Sequence, residues 1–152
     1  MKYHHDTEDW NKSFMRSIHQ MHVLIEKHLE QRLAEQNNIS FAQFLVLLPI
    51  RCPAHISQSE IAEATNLTEA TVSRHMSTLT EEGFLTRTED PDNRRKHILV
   101  LTAKGERAIT DAKIVLESAL EDLFSDVSLK DRTLISTTFD RITTKLLDIH
   151  PS

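Results

Sequence analysis

Residues 57–105 read SQSEIAEATNLTEATVSRHMSTLTEEGFLTRTEDPDNRRKHILVLTAKG, and this stretch decides the fold. Ser57 and Glu60 have the spacing of a capping box, which predicts the start of one short helix. Asn66 predicts a tight turn because asparagine tolerates a left-handed backbone, and Thr68 then caps a second helix. Two short helices joined by a brief turn are typical of a helix-turn-helix.

The pattern changes period after Gly83, which is placed to end the second helix. Residues 84–88 and 97–101 are rich in β-forming side chains and flank the turn residues 90–93, so we predict a hairpin. Thr102 follows the hairpin and caps another helix. A helix-turn-helix followed directly by a hairpin is a winged helix-turn-helix.

Long amphipathic helices are predicted on both sides of this lobe. From Trp10 to Leu33 apolar side chains recur every three or four residues, which predicts a helix ending near Gln36. Ser128 and Asp131 open the last helix. The stripes predicted for the last two helices are Ile109, Ala112, Leu116, Ala119, Leu120 and Leu123, and then Ile135, Phe139, Ile142 and Leu146. The predicted fold class is mainly α with a small β-hairpin wing.

A shorter helix is predicted between the first helix and the helix-turn-helix. Ser40 and Gln43 form its capping box, and Pro49 and Pro53 are expected to end it because proline cannot donate to the helical ladder. Its expected inner face consists of Phe41, Phe44, Leu45 and Leu48.

Composition excludes several classes of protein. The chain has 152 residues, a net charge of −5, two glycines and one cysteine, so a disulfide framework and a turn-rich all-β fold are excluded. Its longest apolar run, residues 44–50, is far shorter than the ~18 residues of a membrane span. No secretory signal pattern opens the chain. We therefore expect a cytoplasmic protein.

Two groups of side chains point to double-stranded DNA. The outer face of the second short helix carries Thr68, Ala70, Thr71, Ser73, Arg74 and His75. An α-helix fits the major groove, where Arg74 could bond guanine through two hydrogen bonds. The wing places Arg94, Arg95 and Lys96 together, as suits phosphates or a narrow minor groove. No phosphate loop, hydrolase or metalloprotease motif is present, so no enzyme and no cofactor are predicted.

The sequence resembles the MarR (multiple antibiotic resistance regulator) family. The resemblance rests on SQSEIA at 57–62, LTEATVSR at 67–74, LTEEGFL at 79–85, DPDNRR at 90–95 and LTAKG at 101–105. It implies a single domain over residues 1–152, with a winged lobe at about 40–102 and dimerisation helices at about 8–36 and 103–149.

The resemblance also implies a function. It implies a bacterial transcriptional regulator, more often a repressor than an activator, that binds a pseudo-palindromic operator as a homodimer. Arg95 corresponds to the family's wing arginine. The family usually has Asp two residues before that arginine, and this chain has Asn93 there. Independently, the apolar stripes of the long helices exceed what a small winged core can bury, which also favours a two-fold dimer.

Three hypotheses of regulation stay open at this stage. The family commonly binds small aromatic or phenolic anions, and the residues that could line such a site are Trp10, Phe14, Arg16, His19, His22 and Phe44. His19, His22 and Glu26 lie near one helical face and could begin a zinc site. Cys52, next to Arg51, could act as a thiol switch. The alternative to a DNA-binding regulator is a winged-helix adaptor for protein partners, which the acidic charge balance favours slightly.

Overall fold

The computed structural model describes residues 7–36, 38–51, 56–90 and 93–149, and within these ranges the side chains of residues 7–9, 87, 89–90 and 93–97 are outside the description. The described elements are six helices and one two-stranded sheet. In chain order they are α1 (Thr7–Gln36), α2 (Phe41–Ile50), α3 (Gln58–Thr65), α4 (Glu69–Glu81), β1 (Leu85–Asp90), β2 (Asn93–Leu101), α5 (Ala103–Leu123) and α6 (Leu129–Ile149). The predicted fold class is confirmed, and the long terminal helices are present.

The chain forms two compact units, residues 1–116 and 117–152. None of the helices within the described ranges is long and apolar enough to cross a membrane.

Capping boxes start α2 and α3, as the sequence predicts. The backbone N–H of Gln43 donates to Ser40 Oγ at 3.1 Å, and the N–H of Ser40 donates to Gln43 Oε1 at 2.8 Å. At α3 the corresponding distances, to Ser57 Oγ and to Glu60 Oε2, are 3.2 and 2.7 Å. These bonds satisfy helix N–H groups that have no partner inside the helix.

Two left-handed residues set the course of the chain through the lobe. Asn66 ends α3 with φ 55°, and Gly83 follows α4 with φ 77°. Side chains other than Gly, Asn and Asp rarely adopt this backbone, which explains why asparagine and glycine stand at these positions. Both predicted stops are confirmed.

The predictions for α2 are partly wrong. Pro49 lies inside the helix, which ends at Ile50, while Pro53 is outside the described residues. Proline keeps a helical φ, and the N–H of Arg51 donates to Leu48 O at 3.3 Å, so the last turn persists. The buried residues are Phe44, Val46, Leu47 and Ile50, whereas Phe41, Leu45 and Leu48 are half-buried. The helix is apolar nearly all round and packs against α1, α3, α4 and β2, so no single stripe marks its inner face.

The core of the first unit draws buried side chains from α1, α2, α3, α4, β1 and α5. Val72, Met76 and Leu79 are buried on α4, as predicted. The largest fully buried side chains of the described residues are Leu33, Leu47, Ile61, Leu79, Leu85, Ile109, Val46 and Val72. They come from α1, α2, α3, α4, β1 and α5, so burial of apolar surface fixes α4 within the lobe.

The two strands form the predicted antiparallel hairpin. Leu85 pairs with Leu101, and the register stays regular up to Glu89 opposite His97. Asp90 then pairs with Asn93, so three residues of β2 lie between these last two pairs without an opposite residue in the register. These three residues are Arg94, Arg95 and Lys96.

The second unit contains the end of α5 and all of α6. Ser128 Oγ accepts from the N–H of Asp131 at 3.2 Å and donates to its carboxylate at 2.6 Å, which confirms the predicted start of α6. Arg132 bridges the connection, since its Nη1 lies 2.9 Å from Glu121 Oε2 and its Nε donates to Val127 O at 3.0 Å.

The predicted apolar stripe of α5 is buried at Ile109, Ala112, Leu116 and Ala119. Leu120 and Leu123, at the end of the same stripe, are exposed in the single chain. The predicted stripe of α6 is wholly exposed: Ile135, Phe139, Ile142 and Leu146 have exposed fractions of 41%, 37%, 37% and 53%.

Candidate nucleic-acid interface

The first turn of α4 presents polar side chains that are joined by hydrogen bonds. Thr68 Oγ1 accepts from the N–H of Thr71 at 3.2 Å and caps the helix, as predicted. The two hydroxyl oxygens of Thr68 and Thr71 lie 2.9 Å apart. Arg74 Nη2 donates to Thr71 Oγ1 at 3.3 Å, one turn further along the helix. Three of the sequence-predicted residues therefore form one connected group.

All six residues predicted on the reading face of α4 retain contact with solvent. Thr68, Ala70 and Arg74 are exposed, and Thr71, Ser73 and His75 are half-buried. The opposite face, with Val72, Met76 and Leu79, is buried. Because the helix is held on one side only, its other side is accessible to the edges of a major groove.

The turn between α3 and α4 is fixed by backbone bonds. The N–H of Asn66 donates to Glu63 O at 3.3 Å, and the N–H of Leu67 donates to Ala62 O at 3.1 Å. The backbone position of Thr68 is thereby set relative to α3, as a helix-turn-helix requires.

The base of the wing is attached to the end of α4 by contacts that sequence reasoning missed. Thr102 Oγ1 donates to Gly83 O at 2.7 Å, and the N–H of Thr102 donates to Phe84 O at 3.0 Å. Lys104 Nζ donates to Glu82 O at 2.7 Å and lies 4.1 Å from the centroid of the Phe84 ring. A cation over an aromatic face is favourable, so Lys104 joins the start of α5 to the end of α4.

Gly105 belongs to the same junction. A Cβ at this position would lie 2.3 Å from Phe84 O and 3.0 Å from Leu101 Cδ2. Only glycine lets α5 approach the backbone this closely. The spacing of Thr102 and Gly105 signals a helix start, but no local pattern announces the contact with Phe84.

The three basic residues of the wing are described in their backbone only. Arg94, Arg95 and Lys96 lie on β2 at the irregularity of the register. The turn residues Pro91 and Asp92 are outside the described residues, and so is the side chain of Asn93.

The six candidate ligand-binding residues are not brought together. Trp10 and Phe14 stack with their ring centroids 4.8 Å apart, and Phe44 is buried in α2. Arg16 and His19 are exposed. Of the six, His22 lies on a cleft of about 590 Å³ that the described residues form between α1, α2 and the turn before α4. The cleft is lined by His22, Val23, Glu26, Lys27, Glu30, Phe41, Ala42, Leu45, Thr65, Asn66 and Leu67.

The zinc hypothesis is not supported by the geometry. His22 Nε2 lies 3.6 Å from Glu26 Oε2, but His19 does not join them. In the part of the chain that the structure describes, no three His, Cys, Asp or Glu side chains are grouped closely enough to hold a metal ion. Side chains at positions i, i+3 and i+7 of one helix are spread over two turns, which explains why those of His19, His22 and Glu26 do not all meet. Cys52 lies outside the described residues, so the thiol-switch hypothesis stays a prediction.

Known proteins are similar to this chain both in sequence and in fold. The sequence model of the MarR family matches residues 39–97. The transcriptional regulator HosA of Escherichia coli O111:H- is 27% identical over 124 residues, which are 82% of this chain and 89% of HosA. Among solved structures, a mutant MarR from E. coli complexed with operator DNA has a TM-score of 0.74 at 20% identity, covering 90% of this chain and 98% of that chain. Sco3205 from Streptomyces coelicolor, a MarR family transcriptional regulator in complex with DNA, also has a TM-score of 0.74, at 17% identity over 93% and 90% of the two chains.

Proposed function

We propose that this chain is a DNA-binding transcriptional regulator of the MarR family, that it represses transcription by binding an inverted-repeat operator as a homodimer, and that a small aromatic effector releases it. The observation that carries the proposal is the outer face of α4, a polar surface whose opposite face is buried. A hydrogen bond from Thr102 to Gly83 attaches the base of the wing to the end of this helix. Two proteins of the same fold were solved in complex with DNA.

The two basic groups have different roles in this proposal. Arg74 on α4 reaches base edges in the major groove, where its planar guanidinium can donate two hydrogen bonds to guanine. Arg94, Arg95 and Lys96 on the wing contact phosphates or the minor groove, which gives affinity without much sequence preference. Thr68, Ala70, Ser73 and His75 complete the surface that approaches the groove.

The exposed apolar surface of the second unit supports a homodimer. None of the residues of α6 is buried, although the helix carries Leu134, Ile135, Phe139, Ile142, Leu146, Leu147 and Ile149. A contiguous apolar face of this kind marks an interaction site, and a two-fold partner would cover it with the same face. To read two half-sites one turn of DNA apart, the two α4 helices of such a dimer would lie roughly 34–36 Å apart.

The decisive test is DNA binding by the purified protein to fragments of its own promoter, measured by fluorescence anisotropy over a range of salt concentrations. We expect nanomolar affinity for one fragment and a footprint with two half-sites. Arg74→Ala should cost about 1–3 kcal/mol chiefly at one base position of each half-site. Arg95→Ala should weaken binding to all sequences and lower the salt slope by about one for each phosphate that the variant fails to neutralise.

Arg141→Ala, which removes an exposed arginine of α6, is the matched control and should leave base preference unchanged. A folded protein that binds no fragment at modest ionic strength would overturn the proposal and favour the adaptor alternative. An equal loss on every sequence for Arg74→Ala would refute its assignment as a base reader.

The cleft between α1 and α2 supports the effector part of the proposal. Its volume is within the range of small-molecule sites, and Phe41, Leu45 and Leu67 offer apolar surface to an aromatic ring. Glu30 on its wall already accepts a hydrogen bond from the N–H of Phe41 at 2.7 Å. Lys27 is the lysine in the lining, and its side chain is our candidate partner for an anionic effector.

The cleft is coupled to α4 through its wall. Asn66 and Leu67 line it, and the next residue, Thr68, caps the reading helix. A ligand that binds more tightly to one arrangement of this turn shifts the population of the DNA-competent state in proportion to its differential affinity.

The test of this coupling is the addition of benzoate and hydroxybenzoates to the preformed DNA complex. Release of DNA is expected, with a weaker response in Lys27→Gln and in Leu45→Trp, which fills the cleft. Lys130→Gln on α6 should respond like the wild type. If the whole panel leaves the complex intact, or if Lys27→Gln and Leu45→Trp both respond normally, the cleft is not the effector site.

A further inference from the structure

The hydrogen bonds at the start of α4 distinguish one polar residue that can contact a base from two that fix its surroundings. Arg74 is exposed, while Thr71 is half-buried and lies between Arg74 and Thr68. The threonine side chain is branched at Cβ and has few rotamers in a helix, whereas arginine has many. A fixed hydroxyl can therefore restrict a mobile guanidinium.

The hydrogens of this group can be counted. Arg74 donates to Thr71 Oγ1, and the N–H of Thr71 donates to Thr68 Oγ1. The contact between the two hydroxyls uses one O–H, whichever oxygen donates it. One O–H of the pair is left over, along with the other N–H groups of Arg74. The surface offered to a partner is therefore rich in donors, which suits the two acceptors that guanine shows in the major groove.

We propose that Thr71 is a positioning residue, which holds the guanidinium of Arg74 in the orientation that reads guanine, rather than a residue that selects a base by itself. The proposal rests on the proposed function, because it needs α4 to enter the major groove. It assigns base preference to Arg74 alone and makes that preference depend on one hydroxyl group. It also separates Thr71 from Thr68, whose cap acts on the backbone.

Two variants separate positioning from helix stability. Thr71→Val keeps the shape of the side chain and the N–H that Thr68 caps but removes the hydroxyl. Thr71→Ser keeps the hydroxyl and should restore the behaviour of the wild type. Circular dichroism and thermal unfolding of both variants check that α4 remains folded.

The first measurement uses the protein without DNA. Arginine side-chain ¹⁵N relaxation, with Arg74 assigned by Arg74→Lys, reports the order of its Nε–H bond. We expect higher mobility in Thr71→Val and wild-type mobility in Thr71→Ser. Equal mobility of Arg74 in Thr71→Val and the wild type overturns the positioning role.

The second measurement uses duplexes enriched from random sequence by the wild-type protein, with each guanine replaced in turn by 7-deazaguanine. At the Arg74-dependent position we expect a loss of tenfold or more for the wild type. In Thr71→Val this discrimination should fall at least threefold, while affinity for random duplex changes less than twofold. Thr71→Val combined with Arg74→Ala should bind like Arg74→Ala alone, because both changes remove one interaction.

Two results would overturn the proposal at this stage: undiminished guanine discrimination in Thr71→Val, or losses that multiply in the double variant, which would make Thr71 an independent base reader. A wild-type protein that enriches no duplex overturns the proposed function instead. The relaxation experiment then still decides whether Thr71 orders Arg74.

Discussion

At the scale of single residues, Gly105 shows how a distant contact selects an amino acid. The backbone of α5 passes so close to Phe84 that an added Cβ would meet its carbonyl at 2.3 Å. Backbone atoms cannot move aside as the end of a flexible side chain can. We expect Gly105→Ala to lower the free energy of unfolding by about 1–3 kcal/mol, as overpacking usually does.

Chemical denaturation monitored by circular dichroism measures this destabilisation. Gly83→Ala is an informative comparison because a Cβ there meets no atom within 4 Å. Its cost should come from the positive φ alone, roughly 1–2 kcal/mol, and Gly83→Asn should recover part of it. If Gly105→Ala were as stable as the wild type, the backbone at the junction of α5 with the base of the wing would be able to shift and accommodate a methyl group.

Sequence reasoning succeeds for residues whose role is local and fails where the partner is remote. Asn66, Thr68 and Gly83 are recognised because caps and left-handed turns depend on neighbours in the chain. Lys104 contacts Glu82 and Phe84 across about twenty residues, and no spacing rule connects them.

At the scale of elements, the two capping boxes differ in charge. Glu60 accepts from the side chain and then the backbone of Ser57, and these bonds lower the pKa of Glu60 below its ordinary 4.5. A carboxyl group with a lowered pKa in the folded state stabilises the fold above its unfolded pKa, and this contribution is lost as pH falls through the folded pKa. The box at Ser40 uses Gln43, which does not titrate.

We therefore expect the destabilisation caused by Ser57→Ala to be larger at pH 7 than at pH 3. The cost of Ser40→Ala, about 1 kcal/mol for a lost N-cap, should be independent of pH over the same range. Denaturant titrations of both variants at each pH give the comparison. NMR titration of Glu60 should also show its pKa rising in Ser57→Ala; an unchanged pKa would contradict the link between cap and charge.

Elements with one buried face are predictable from sequence, and an element buried on several sides is not. The α4 helix has a clear stripe, and periodicity identifies its buried residues correctly. The α2 helix offers apolar side chains in nearly every direction, so periodicity does not distinguish Val46 and Leu47 from Leu45 and Leu48.

At the scale of the whole molecule, the exposed stripe of α6 is the feature that a single chain does not account for. We expect Ile142→Glu to sediment as a monomer, since it places a charge in the proposed interface. Its affinity for the operator should fall toward the non-specific level, about 10³-fold or more.

Analytical ultracentrifugation and anisotropy check this expectation, and circular dichroism should show that the helices remain. Thr137→Glu, on the other side of α6, is the control and should remain dimeric. Dimers formed by Ile142→Glu at the wild-type affinity would mean that α6 does not form the interface.

The order of elements along the whole chain is predictable, because capping residues, turns and changes of period mark each boundary. The grouping of side chains from separate helices is not. The candidate effector residues have suitable chemistry along α1 and α2, yet only His22 reaches the cleft, which also uses the turn before α4. That assembly depends on tertiary packing, which sequence spacing does not encode.

The irregularity in the register between β1 and β2 has a consequence for evolution. Arg94, Arg95 and Lys96 have no opposite residues, while the pairs from Leu85 to Glu89 anchor the hairpin below them. Mutations in those three codons leave the strand pairs in place, so selection for a stable fold does not act against them. Descendants of this gene can therefore acquire new preferences for genomic targets at the wing while inheriting the same scaffold.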